Sequence, residues 1–300
     1  MVKYTKIPAW GYQLWMLLAT CIILLGFEVA LAQQREPQNI YRVRVQSRYV
    51  LEDGQRTRQF YAINQQIQDS LGRIHTEIDY DWETRYPNNY RWHYFEGTTK
   101  TKTKYFENEK LVRIEEFDMD TDDRLRELKI TTVAPGDTTL QLRVEYNYNP
   151  DGTINQAIGY LPNDRRGYRA RYRYDHNGTE ISRRVRGRRA VPPDSIIRLD
   201  REPQYDSLDR IIFEKLTTRM ADRSVTGKQV AYEYDNKNNV TGEIIHDANG
   251  NIRERRIYSY RRDNRIQRLE RFDAEDNLIE YLAWRYEIYR TSDRRHRVLE

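Results

Sequence analysis

A chain of 300 residues with 51 basic and 46 acidic side chains, net +5, is too nearly balanced to be read as a nucleic-acid binder. Its only cysteine, Cys21, excludes disulfide staples and cysteine metal sites. Charged residues reach 32% and the mean hydropathy is −0.96, yet 24 tyrosines in regular alternation exclude a disordered chain. A single-layer or barrel-like sheet, large in surface relative to its core, accommodates both facts.

Residues 1–32 read as a secretory signal. Lys3 and Lys6 give a positive start, Leu14 to Phe27 is an apolar run of 14 residues, and Ala30-Leu31-Ala32 is a small-residue cleavage site. The run is short for a membrane span, which disfavours the rival reading of an uncleaved anchor. Leu18-Ala19-Thr20-Cys21 is a poor lipobox, because Thr20 precedes the cysteine and the apolar run continues beyond it. Cleavage would leave 49 basic and 45 acidic residues, a net of +4, and no cysteine. An exported chain without disulfides fits the periplasm, outer membrane or cell surface of a bacterium.

The first strand follows a polar linker (Gln33 to Gln38). Tyr41, Val43, Val45, Ser47, Tyr49 and Leu51 share one face, and Arg42, Arg44, Gln46 and Arg48 the other. Asp53-Gly54 turns it, Phe60 to Ile67 is the second strand, and Ser70-Leu71-Gly72 turns again. Ile74 to Tyr86 reads as the longest strand, with Glu77, Asp79, Asp81 and Glu83 in one row. Lys100, Lys102 and Lys104 are the expected partners of that row. Tyr90, Trp92 and Tyr94 form an aromatic stripe. Further turns fall at Asn108-Glu109, Asp118 to Asp123 and Ala134 to Asp137, and Leu140, Leu142, Val144, Tyr146 and Tyr148 share a face. Arg183 to Pro193 is the expected boundary between an N-terminal β region (33–189) and a regular C-terminal region (195–300). Lys215 to Gly227 reads as a long excursion before the regular part.

From Val230 onwards the chain repeats. Tyr232-Glu-Tyr234, Tyr258-Ser-Tyr260 and Trp284-Arg-Tyr286 follow one another at 26 residues, as do the turn openers Asp247 and Asp273. Val240, Ile252, Ile266 and Leu278 each follow a polar Asn/Asp/Gly cluster, at steps of 12, 14 and 12. Tyrosines two apart lie on one strand face, and the following Asp starts a turn by hydrogen-bonding the backbone two residues on. The unit is a β-hairpin of 26 residues. The expected fold is therefore all-β, an antiparallel run of hairpins forming an extended twisted or barrel-like sheet.

The pattern Tyr-x-Tyr-Asp-x-x-Gly/Asn-x-Ile/Val at 232–286 resembles the YD repeats of RHS-type proteins. Looser copies stand at Tyr146 to Ile154 and at Tyr172 to Gly178. It is also similar to the hairpin repeats of secreted Bacteroidetes proteins of unknown function, some of porin-like fold. RHS proteins use such repeats to build a β-shell around a toxin or to contact carbohydrate and cell surfaces. This chain shows neither a core-like segment rich in Asp-Pro and Gly near the C-terminus nor an appended toxin. The resemblance therefore implies a scaffold or binding role.

The sharpest candidate site is basic. Arg169, Arg171 and Arg173 alternate along one strand face, and Arg184, Arg186 and Arg188 along the next strand after the Asn177-Gly178 turn. Arginine forks suit phosphates and carboxylates, so the expected partners are an anionic glycan, lipopolysaccharide or an acidic envelope protein. A solvated face paired to neighbouring acids is the plainer reading. Asp118-x-Asp120-x-Asp122 starts like a calcium loop, but Asp123 and Lys129 occupy the places of its Gly and its acid. His75, His93, His176, His246 and His296 lack zinc spacing, and no phosphate loop or nucleophile elbow is present. No catalytic residue, metal or cofactor is expected.

The reading is a non-catalytic exported β-repeat scaffold of the envelope or cell surface that binds glycan or protein, with the aromatic stripe packed and the charged rows exposed. Alternation fits an outer-membrane barrel with a polar lumen equally well, although the C-terminal Val298-Leu299-Glu300 lacks a terminal aromatic. A carbohydrate-active enzyme would need a carboxylate pair in a pocket.

Overall fold

The computed structural model describes residues 40–81, 83–187, 191 and 195–290. The signal segment, Arg188, Arg189, Pro192, Pro193 and the C-terminal residues 291–300 lie outside them. The account below concerns the large unit, Arg42–Glu287.

The first nine strands are β1 (Ile40–Glu52), β2 (Gln55–Gln68), β3 (Ile74–Tyr80), β4 (Pro87–Glu96), β5 (Thr99–Glu107), β6 (Lys110–Met119), β7 (Leu125–Ala134), β8 (Asp137–Tyr148) and β9 (Ile154–Tyr160). The next nine are β10 (Arg166–Tyr174), β11 (Glu180–Arg186), β12 (Ile196–Tyr205), β13 (Ile211–Met220), β14 (Val225–Tyr234), β15 (Val240–Asp247), β16 (Ile252–Tyr260), β17 (Ile266–Phe272) and β18 (Leu278–Arg290). Each strand pairs antiparallel with the next, and β1 also pairs with β18. The result is a closed 18-stranded up-and-down barrel. Closure supplies every strand with two neighbours, which an open meander denies its first and last.

The turns explain why this sequence makes hairpins. Eleven of them share one pattern, in which the first residue's N–H reaches the carbonyl four residues on and its carbonyl takes the N–H three residues on. At seven of these the opener is an aspartate whose Oδ1 accepts the N–H groups two and four residues later, as Asp235 does from Lys237 (2.8 Å) and Asn239 (2.9 Å). The fourth turn residue has positive φ, a place taken by Gly178 and Gly250, by Asn238 and Asn264, and at some cost by Asp209 and Asp276. A type I turn followed by such a residue makes a bulge, and the register shifts accordingly at Tyr148, Tyr174, Tyr234 and Tyr260.

The second tyrosine of each repeat locks the hairpin at its rim. Tyr148 donates its hydroxyl to the Leu125 carbonyl (2.8 Å), Tyr234 to Ile211 (2.8 Å), Tyr260 to Val240 (2.8 Å) and Tyr286 to Ile266 (2.9 Å). Each acceptor opens the strand that precedes the tyrosine's own.

Register divides the side chains into two faces. One carries most of the buried residues, Thr103, Val144, Ala157, Ala170, Glu214, Val230 and Leu282 among them, whereas the other carries the exposed Phe60, Arg171, Arg173 and Arg186 beside the buried Ile78 and Tyr281. Curvature crowds the concave side, so the first face is the inner wall. Its apolar centre is Val144, Ala157 and Ala170, packed by Leu128, Leu142, Tyr146, Tyr168, Tyr172 and Val185. Gly159 stands opposite Tyr168, and a Cβ there would meet the ring at 2.1 Å, so only glycine admits that tyrosine.

Four expectations are corrected. The third strand ends at Tyr80, because the Asp81 carboxylate takes the Glu83 and Thr84 N–H groups and Arg85 turns at positive φ; the longest strand is β2, with 14 residues. Residues 215–227 form no excursion but the adjoining halves of β13 and β14, with a turn at Met220–Ser224. The lysine row does not answer the acidic row: Glu77 and Asp79 pair with Arg91 on β4, while Lys102 pairs with Glu116. Nor is the aromatic stripe everywhere the packed face. On β8 and β10 Tyr146, Tyr168 and Tyr172 face inward, but on β3 and β4 the inner wall takes Glu77, Arg91 and His93, while Tyr90, Trp92 and Tyr94 face outward. Alternation defines two faces without saying which is concave.

The rim lock gives a direct test. Tyr260→Phe removes one hydrogen bond and no ring, and is expected to lower stability by about 1 kcal/mol in urea unfolding with an unchanged sheet spectrum.

Candidate functional site

The arginines singled out from the sequence meet on the outer wall. Register places Arg169 opposite Arg186 and Arg171 opposite Arg184. Strand β11 also pairs with β12, which sets Arg184 opposite Arg198, and Arg198 in turn faces Arg219 on β13. One row of four arginines thus crosses four neighbouring strands at intervals of about 4.8 Å. Arg198 and Arg219 were missed in the sequence because their alignment with Arg184 depends on the pairing of β11 with β12 and of β12 with β13. Arg188 lies outside the described residues. Arg183 belongs to the inner wall, where it pairs with Glu180 (2.8 Å) and lies over the Tyr172 ring.

One carboxylate serves this field. Asp200 accepts from Arg184 (2.6 Å) and Arg198 (2.8 Å), and the two guanidiniums hold it below the usual carboxylate range. Arg184 also reaches the Leu199 carbonyl (3.2 Å), and Arg169 bonds Gln156. Among the described residues no carboxylate comes within 4.0 Å of Arg171, Arg173, Arg186 or Arg219, and all four are exposed. Like charges directly opposite on a sheet repel, a repulsion that an anion between them would relieve.

The inner wall carries a second charge system, paired acid to base from β15 through β18. Arg256 reaches Glu243 (3.2 Å) and also bonds Glu254. Arg271 forks onto Glu254 (2.9 and 2.8 Å) and reaches Glu280 (2.6 Å), which Arg48 of β1 also bonds. Acids and bases therefore alternate from β15 through β18 into β1 and bridge the closure of the barrel. Buried Glu214 bonds Arg201 and takes the Tyr232 hydroxyl (2.6 Å), which burial and that carboxylate hold well above the usual phenol range.

A grouping with catalytic composition lies nearby. His93 Nδ1 is 2.9 Å from Thr103 Oγ1, and its Nε2 is 3.6 Å from Glu77. Thr103 is only 1% exposed, and Gln66 (2.6 Å) and Arg91 (3.3 Å) share the Glu77 carboxylate. The Thr103 hydroxyl is engaged with the His93 ring, and the Glu77 carboxylate is shared by its neighbours. Asp120, expected as a turn former or calcium ligand, is a turn opener tied to Arg124 (2.8 Å). Among the described residues no group of three metal-ligating side chains occurs.

Comparison with known proteins places the barrel among distant likenesses. No protein-family model matches the chain, and no curated protein matches it. Among solved structures it is similar to a porin-like protein from Bacteroides uniformis, at 10% identity and TM-score 0.40, covering 82% of this chain and 97% of that one. A porin-like protein from Bacteroides vulgatus matches at 12% identity and TM-score 0.35, covering 81% and 97%. The TcdB2-TccC3 structure matches at 13% identity and TM-score 0.33; the match takes in 77% of this chain but only 15% of that one.

The inner ladder has a pH signature. The forks of Arg271, helped by Arg256, hold Glu254 at about 2, below its ordinary 4.5. A carboxylate depressed in this way adds stability that is present above its unfolded value and is lost as pH falls toward 2. Thermal unfolding is therefore expected to drop between pH 5 and pH 2, less steeply in Glu254→Gln, which starts lower at neutral pH.

Proposed function

We propose that this chain is an exported, non-catalytic barrel scaffold of the bacterial envelope that binds an anionic polymer, a charged glycan or the phosphates of lipopolysaccharide, on its outer wall. The observation that carries the reading is the row Arg171, Arg184, Arg198 and Arg219, four cations in register across four strands with a single aspartate among them. A sheet gives these side chains fixed spacing, so an extended polyanion meets several guanidiniums at once. Side-chain alternation places Tyr172 and Tyr174 on the other face, leaving the field to charge alone.

Insertion in an outer membrane is a second reading, supported by closure of the ring and by the outward Tyr90, Trp92 and Tyr94. The arginine field and the outward Lys102, Glu116, Lys129 and Arg143 weigh against it, since a lipid-facing band must be apolar all the way round. Alkaline carbonate washing of membranes separates the two. Release supports the water-exposed barrel, while retention with altered migration of an unboiled sample supports insertion.

On a glycan array that includes anionic polysaccharides and lipopolysaccharide, the full chain is expected to bind the anionic members in a salt-sensitive manner. The Arg169/Arg171/Arg173 triple alanine variant is expected to lose that binding while keeping its fold. Retained binding in the triple variant, or none in the parent, would sink the proposal.

A further inference from the structure

A cavity of about 280 Å³ opens where β17, β18, β1 and β2 meet at one rim, lined by Arg42, Val43, Arg44, Gln68, Arg265, Ile266 and Tyr286. Its lining holds three guanidiniums and no carboxylate. Arg42 and Arg44 alternate along β1, and register sets them opposite Gln68 and Gln66 rather than acids. Among the described residues no carboxylate comes within 4.0 Å of either arginine.

The three arginines are not equivalent. Arg265 is engaged, for its Nε lies 2.8 Å from Asp263 Oδ2 and its guanidinium sits 4.5 Å from the centre of the Tyr286 ring. The Tyr286 hydroxyl proton is committed to the Ile266 carbonyl (2.9 Å). Among the described residues Arg44 Nε is buried and meets no partner. A buried guanidinium N–H without an acceptor is costly and rare, and it marks a place where an acceptor belongs. With Arg265 neutralised by Asp263, the charge left uncompensated among the described residues is that of Arg42 and Arg44, two units. One dianion balances it.

We propose that this rim cavity binds a phosphate monoester, with the phosphoryl oxygens on Arg42 and Arg44. A carboxylate would cancel only one of the two charges, whereas a phosphoryl group offers two charges and three acceptor oxygens to two forks. The volume exceeds that of bare phosphate and leaves room for one sugar ring, with the Gln68 amide and the Tyr286 ring as its neighbours. The site stands apart from the outer arginine field, shares no residue with it, and does not rest on it.

Titration of the full chain with inorganic phosphate, a hexose 6-phosphate and the free hexose, followed by calorimetry and by amide NMR shifts, tests the site. Both phosphates are expected to bind, the sugar phosphate more tightly, and the free hexose is not. Arg44→Lys keeps the charge but loses the fork, and is expected to weaken binding about tenfold or more. Gln68→Ala, which changes no charge, is expected to weaken the sugar phosphate more than inorganic phosphate. The Arg169/Arg171/Arg173 triple alanine is expected to bind as the parent does. The proposal is overturned if neither phosphate binds the parent, if Arg44→Lys and Gln68→Ala both bind as tightly as the parent, or if the outer triple variant alone abolishes binding.

Discussion

The structure depends on one hydrogen-bonding habit, an aspartate at the end of a strand accepting the backbone N–H groups two and four residues ahead. That side chain satisfies donors that would otherwise face solvent and forces the next residues into a type I turn with a left-handed fourth position. The bulge that results fixes where the following strand begins. Pairing register then follows, and with it the choice of which side chains face inward. Asp175, Asp206, Asp235, Asp247 and Asp273 repeat the arrangement with bonds of 2.8 to 3.1 Å, so one local rule is applied along the ring.

Local rules are also what a sequence displays best. The 26-residue beat of Tyr234, Tyr260 and Tyr286 is visible in the chain because each copy makes the same rim bond. The all-β antiparallel class follows from it. The end of β3 was hidden because Trp82, Thr84 and Tyr86 continue the alternation that Asp81 interrupts. A side chain competing for backbone donors leaves no trace in hydrophobic period.

The candidate site was half legible. Arg169, Arg171, Arg173, Arg184 and Arg186 lie in one hairpin, and alternation alone puts them on one face. Arg198 and Arg219 join them only through pairing between separate strands, which no periodicity reports. The inner wall was the least legible part. Glu254, Arg256, Arg271 and Glu280 look in sequence like solvated charges, and the same alternation would suit them on the outside. Their inward placement follows from curvature, a property of the closed ring and not of any one strand.

Closure has a further consequence. A ring of strands holds no free hydrogen-bonding edge, and the pairing of β1 with β18 is what removes the last two. Loss of that one pairing would expose both edges together, one on each side of the gap, on strands of 13 residues rich in Val, Ile and Tyr. Two such edges on one molecule are complementary to those of another, so an opened ring is a bifunctional template for chain-to-chain addition. The Arg48 to Glu280 contact is one bond that spans the join.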